Sequence, residues 1–393
     1  MNGAPGVAAS AGTADSPVPE RPSTPWAVFG VASMAVFLVS IDTTVLFAAF
    51  GALRAGFPGS TPADLSWVLN AYTVIYAALL VPAGRLADVH GRKRVFLLGL
   101  TLFLVASAAC GAAPNVALLI AARALQAVGA ALLTPSSLAL VLGAFPIEKR
   151  AVAVSLWGAV GGLAAALGPS VGAGVVDALG WRWAFFLNLP VGAFALWRGR
   201  NRLTEWHHSD KGAPVDVPGI ALLIAGVGAL AFGIVQTEAL GWRSPVVLGS
   251  IATGAVVLLA FIAWARRAAH PAVDRSLFDD RSYRYVNTAT LAFGTAFAMM
   301  FFGFFFFTMQ IWHCPLPLAG LAVTPGPLLV VPVAVLSGRL AAKLGHRPLL
   351  VAGSLVYAAG GLWLYLRAGT EPDYLGTWVP GIATVSPAAK KPD

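Results

Sequence analysis

The chain has 393 residues, of which 58% are hydrophobic and only 11% charged, against about 25% charged in an ordinary soluble domain. So little polar surface excludes a water-soluble globular protein and points to a bilayer as the solvent. The net charge of +9 would suit a nucleic-acid binder if it were clustered, but it is spread over short loops between apolar runs.

Residues 1–25 are rich in Ala, Gly, Pro, Ser and Thr and read as a disordered cytoplasmic tail. No basic segment leads into a short apolar core with a cleavage site, and the first apolar run is too long for a signal peptide, so it is expected to be retained. Eleven apolar runs follow, at 26–50, 64–86, 95–113, 115–141, 150–175, 182–198, 217–236, 246–266, 285–310, 318–342 and 348–367. Most have the length that a hydrocarbon core of about 30 Å asks of a helix. Backbone polar groups in lipid must be bonded internally, so the expected fold class is an all-α polytopic membrane protein.

Placing the N-terminus in the cytoplasm and alternating the spans puts 19 Lys and Arg on the inner side and 6 on the outer, with Arg123 inside a span. This bias fits a multi-pass protein of the cell membrane with a cytoplasmic N-terminus. The basic charge is therefore a topology signal. Cys110 and Cys314 lie in different apolar regions and give no disulfide framework. The adjacent pair His207–His208 lies in a polar loop, and no metal site is expected.

The loop after the second run reads Gly84-Arg85-Leu86-Ala87-Asp88-Val89-His90-Gly91-Arg92-Lys93-Arg94. Two antiparallel spans joined this tightly need a residue without a Cβ at the bend, and Gly91 supplies it. Asp88 is an acid among cations, within i,i+4 reach of Arg92 if the turn is helical. A loop that only sets topology would explain the Arg and Lys but not Asp88 and the glycines. Gly338-Arg339-Leu340-Ala341 repeats the loop's start after the tenth run, as expected of a transporter built by duplication.

The loop resembles the G-x-L-a-D-r-x-G-r-k signature of the major facilitator superfamily, with Val89 where a basic residue is usual. The resemblance implies that Gly84, Arg85, Asp88, Gly91 and Arg92 latch the two halves of a transporter together in one state of its cycle.

Asp42 and Arg123 are ionisable residues well inside the first and fourth runs, each about 12–14 Å below the outer end at 1.5 Å per residue. A charge at such depth costs at least about 2.5–3.5 kcal/mol. Two at matching depth suggest an interior pair or a shared aqueous cavity. One reading is a buried salt bridge that only orients helices. The other is a proton site: a carboxyl removed from water holds a proton more readily, and a neighbouring cation drives it off.

Ile41-Asp42-Thr43-Thr44-Val45 resembles the first-span motif of the fourteen-span drug:proton antiporters. Arg123-Ala124-Leu125-Gln126-Ala127-Val128-Gly129 resembles the fourth-span R-x-x-Q-G-x-G, with Ala127 for a Gly, which implies proton coupling through Arg123. In the fifth run Gly158, Gly162, Gly168, Pro169 and Gly172 resemble the antiporter motif g-x-x-x-G-P-x-x-G-G, with Ala164 and Ala173 where Gly is usual. Small residues at this spacing also serve ordinary close packing of membrane helices. Trp181-Arg182-Trp183-Ala184-Phe185-Phe186-Leu187-Asn188-Leu189-Pro190 is similar to the same exporters and is expected at the outer interface, where Trp belts form. The run Phe301–Phe307 faces either lipid or substrate, lipid being the favoured reading. Asn70, Gln126 and Gln310 are candidate substrate-cavity residues.

The resemblance covers about 26–375 and implies a disordered tail (1–25), an N-terminal six-helix bundle (26–200), a two-helix insert (201–284), a partial C-terminal bundle of three helices (285–375) and an unstructured tail (376–393). Fourteen spans are implied and eleven are counted, so a C-terminally truncated chain is expected. The implied function is proton-coupled efflux of hydrophobic or cationic small molecules by alternating access. A facilitator-type metabolite carrier and a non-transporting remnant are the alternatives. No nucleotide-binding loop is present and no nucleophile–base grouping accompanies the spans. ATP-driven transport and catalysis are therefore not expected, and the resemblance implies a proton gradient as the energy source, with small molecules, protons and lipid as partners.

Overall fold

The computed structural model describes residues 24–205 and 216–381, apart from 270, 272, 274–277 and scattered positions between 316 and 345. The tail 1–25 up to residue 23, the His207–His208 pair, most of the tenth run and the Gly338–Arg339 repeat lie outside the described residues.

The described chain is helical. Its elements are α1 (Pro25–Gly56), α2 (Pro62–His90), α3 (Arg92–Gly111), α4 (Val116–Ala144), α5 (Ile147–Leu179), the short α6 (Trp183–Phe186), α7 (Asn188–Arg202), α8 (Val217–Val235), the short α9 (Thr237–Leu240), α10 (Pro245–Ala265), α11 (Arg281–Gln310) and α12 (His346–Arg367). Among the described residues, α1, α2, α3, α4, α5, α8, α10 and α12 are long and apolar enough to cross a membrane. At 30 residues α11 is about 45 Å long. Most helices overrun the apolar runs by a few residues, because capping rather than hydropathy ends them. Thr61 and Asp64 form a capping box at α2, in which the Thr61 hydroxyl accepts from the Asp64 N–H at 3.1 Å and the carboxylate accepts from the Thr61 N–H at 3.0 Å. The Asn115 side chain does the same for the Leu118 N–H at the start of α4.

The sixth run departs from one continuous span. It is split into α6 and α7 around Leu187. Pro190 has no N–H to give the Phe186 carbonyl, so the ladder is interrupted at that turn. The Trp-rich segment is consequently not a uniform interfacial belt: Trp183 is exposed, whereas Trp181 and Asn188 are buried.

In the N-terminal part α1 packs along α5, α4 packs against α3 and α2, and α7 closes against α1 and α3. α1 and α5 approach closely because Gly168 and Gly172 have no side chains. A Cβ on Gly172 would stand 3.0 Å from the Val45 backbone, and one on Gly168 would overlap Thr44. By contrast, Gly158 and Gly162 meet nothing within 4 Å.

α8 and α10 form a hairpin. Asp216 caps α8 through the Gly219 N–H and also accepts from the Trp264 indole at 2.9 Å, fastening the start of α8 to the end of α10. The hairpin docks on α2, with Phe232 stacked on Trp67 at 5.5 Å between ring centroids.

The last part departs from expectation twice. The chain does not lose structure at 376. A π-helical turn, Tyr374–Trp378, is followed by helix to 381, and Trp378 is only 2% exposed. The aromatic run of α11 is also divided: Phe304 and Phe307 turn inward onto Trp378 at 5.3 and 5.9 Å, while Phe306 is exposed. Residues three apart share a helix face, which is why these two act together.

Candidate functional site

The N-terminal helices converge on one polar cluster. Asp42 lies near the middle of α1 and Arg123 two turns into α4. Gln126 shares Arg123's face, three residues on. Ser107 and Cys110 come from α3 and Asn188 opens α7. Asp42, Ser107, Arg123, Gln126 and Asn188 are each no more than 2% exposed.

The pair is direct. Arg123 Nη1 lies 2.6 Å from Asp42 Oδ2. The same nitrogen donates to Gln126 Oε1 at 2.6 Å, and Nε donates to the Val68 carbonyl of α2 at 3.1 Å. The guanidinium lies over the Tyr72 ring, 4.1 Å from its centroid, with the Phe185 ring at 5.9 Å. Asp42 Oδ1 accepts from Gln126 Nε2 at 2.9 Å and from Asn188 Nδ2 at 2.7 Å. Ser107 Oγ takes the other Gln126 hydrogen at 2.7 Å and a longer contact from Asn188 at 3.3 Å. Three donors thus converge on the carboxylate in a buried interior, and such charge-assisted bonds are the strong ones.

The fifth-span glycines bear on this cluster from behind. The Thr44 and Val45 against which Gly168 and Gly172 pack lie two and three residues beyond Asp42. Close approach of α5 fixes the turn of α1 that carries the acid.

The loop Gly84–Arg94 forms a second centre at one end of the bundle. Gly91 has φ +100°, which an L side chain rarely adopts. Asp88 Oδ1 receives Arg92 Nη2 at 3.0 Å and Nε at 3.2 Å, and Arg92 Nη1 reaches the Ala139 carbonyl of α4 at 3.4 Å. Arg85 and Gly84 are half-buried on the last turns of α2. Glu205, just past α7, accepts from the Lys93 N–H at 3.1 Å and stands 3.9 Å from Arg94 Nε. Its carboxylate occupies the space that a Cβ on Gly91 would need. An anion at a helix N-terminus is favourable. Among the described residues, the partners of this loop beyond its own turn come from α4 and from the segment after α7.

The three candidate cavity residues are placed differently from one another. Gln126 is fully committed inside the cluster, Asn70 is half-buried on α2, and Gln310 is exposed as the last residue of α11. Sequence reasoning missed Ser107, Asn188 and Glu205. An amide inside an apolar run is the signal that could have found Asn188, and an acid within a basic stretch the signal for Glu205.

A buried acid–base pair inside a bundle of apolar helices is a functional-site candidate of a membrane protein. The Major Facilitator Superfamily profile matches residues 32–221, which hold every member of the cluster. The chain is 34% identical to the cephamycin export protein CmcT of Amycolatopsis lactamdurans, over 91% of this chain and 74% of that one. It is 32% identical to the multidrug resistance protein Stp of Mycobacterium tuberculosis, over 84% and 62%. It is 33% identical to the uncharacterized MFS-type transporter Rv1250 of the same organism, over 84% and 56%. The chain thus spans under two thirds of the length of Stp and Rv1250. Its fold is similar to that of the proton:xylose symporter XylE, with a TM-score of 0.61 at 14% identity over 93% of this chain and 79% of that one. It is also similar to the human organic anion transporter MFSD10, with 0.59 at 17% over 94% and 85%. The chain belongs to the major facilitator superfamily.

Proposed function

We propose that the chain exports hydrophobic or cationic small molecules, antibiotics among them, in exchange for protons by alternating access. The observation that carries this reading is the Asp42–Arg123 pair, buried and shared among α1, α2, α4 and α7. A carboxylate held there has two states. Ionised, it binds Arg123 and holds the helices together. Neutralised by a proton, it loosens its hold on the guanidinium, and a cationic substrate then competes with that proton for the carboxylate, so that binding one expels the other. Relatives named for the export of cephamycin and tetracenomycin C and for multidrug resistance support the substrate class.

The energy suffices. One proton crossing 100 mV is worth about 2.3 kcal/mol, which sustains roughly a fiftyfold gradient of a neutral substrate at 1.4 kcal/mol per decade. The Asp88–Arg92 corner acts as the latch on the cytoplasmic side, the side to which the basic loops assign it.

The test is substrate-induced proton release from the purified protein in vesicles. Release is expected from the wild type and is lost in Asp42→Asn. Release that persists unchanged in Asp42→Asn overturns the assignment of the proton site.

A further inference from the structure

We propose that Asn188 is a positioning residue of this site, an amide that turns over when Asp42 gains a proton; the inference rests on the proton-site reading above. As placed, the amide serves the ionised acid, because Nδ2 donates to Asp42 Oδ1 at 2.7 Å. Its own Oδ1 is buried and has no hydrogen-bond partner among the described residues, which is uncommon for a buried acceptor.

With Oδ2 held by Arg123 Nη1, a proton on Asp42 loads at Oδ1 and reverses the demand at that oxygen, which then needs an acceptor. Around it, Gln126 Oε1 is already taken by Arg123 Nη1 at 2.6 Å and approached by the Cys110 thiol at 3.8 Å. Ser107 Oγ already receives Gln126 Nε2. The titratable and charged groups facing the acid are Arg123 from α4, Tyr72 from α2 and Cys110 from α3. Arg123 offers only donors, and α5 brings the glycines Gly168 and Gly172. Asn188 Oδ1, on the amide already bonded to Asp42, is an acceptor without a partner among the described residues, as is the Tyr72 hydroxyl on the side where the guanidinium lies over the ring. A half-turn of the amide exchanges its nitrogen and oxygen, so Oδ1 accepts from the protonated carboxyl. The half-turn takes both Nδ2 hydrogens away from Asp42 and Ser107, where the ionised state leaves one carbonyl oxygen unpaired among the described residues, so the amide favours the ionised acid. Asn188 is the first residue of α7, beside the break at Leu187. Proton loading on α1 is thereby registered on the hinge of the sixth span.

Infrared difference spectra of the protein in vesicles, stepped in pH, test this. The wild type is expected to show a protonated-carboxyl band that is absent in Asp42→Asn. In Asn188→Leu that band moves to higher wavenumber, because the acid has lost its acceptor. Asn188→Thr, whose hydroxyl both donates and accepts, keeps it near the wild-type position. In wild type labelled with carbonyl-13C asparagine, one amide band shifts at the same pH midpoint and is silent in Asp42→Asn, a measurement that needs no substitution at 188. An Asp42 band that is unmoved in Asn188→Leu, or a labelled amide that ignores pH, overturns the role of Asn188 and leaves the proton site standing. Absence of any Asp42 band at every pH overturns both.

Discussion

Arg123 is held by four kinds of contact at once: a carboxylate, an amide oxygen, a helix carbonyl and an aromatic face. Removing one partner of such a pair leaves an uncompensated buried charge, which typically costs about 3–5 kcal/mol. Arg123→Leu is therefore expected to lower the unfolding temperature in detergent more than Asp42→Asn/Arg123→Leu does, because the double variant buries no charge. Equal destabilisation by the single and double variants would show that the pair contributes packing alone. The two ends of this pair were legible from the sequence, since a charge inside an apolar run announces itself. Their polar neighbours were not. Ser107 sits in a stretch of alanines, where a serine often bonds only its own backbone. Asn188 follows an aromatic segment that reads as interfacial until the break at Leu187 turns it inward.

At the scale of elements, the α2–α3 corner depends on Gly91 for two separate reasons, a positive φ and the adjacent Glu205 carboxylate. Gly91→Ala violates both, so it is expected to displace Glu205 as well as strain the turn. Glu205→Gln keeps the shape and one acceptor but removes the charge facing Arg94 and the α3 terminus. It is expected to raise the accessibility of this corner to hydrogen exchange, with Lys93 the first amide affected. Unchanged protection at Lys93 would mean that the contact is incidental. The glycine and the Asp88–Arg92 pair follow from local spacing, and the sequence displays them. Glu205 lies 112 residues from Lys93, and only packing of α7 against α3 brings it there. Span ends were misread for a similar reason, since hydropathy locates the apolar core of a helix and caps locate its ends.

For the whole molecule, the described helices fall into a tightly packed N-terminal group, a hairpin docked on α2, and a C-terminal group gathered on aromatic rings. The hairpin's attachment is specific enough to test. Cysteines replacing Trp67 and Phe232 are expected to cross-link under mild oxidation, and transport is expected to survive the link if the hairpin travels with the N-terminal bundle. Loss of transport on linking would mean that the two separate during the cycle. The order of bundle and hairpin was readable from the runs. The inward turn of Phe304 and Phe307 and the burial of Trp378 were not, because an apolar ring suits lipid and protein equally.

Trp67 and Val68 are neighbours on α2. One residue holds the hairpin by its ring, and the next gives its carbonyl to Arg123. The hairpin itself turns a broad apolar face outward, including Leu248, Val256 and Leu259, so its tilt answers to the thickness of the surrounding hydrocarbon. A change in bilayer thickness that tilted the hairpin would pull on α2 one peptide unit from a ligand of the buried guanidinium.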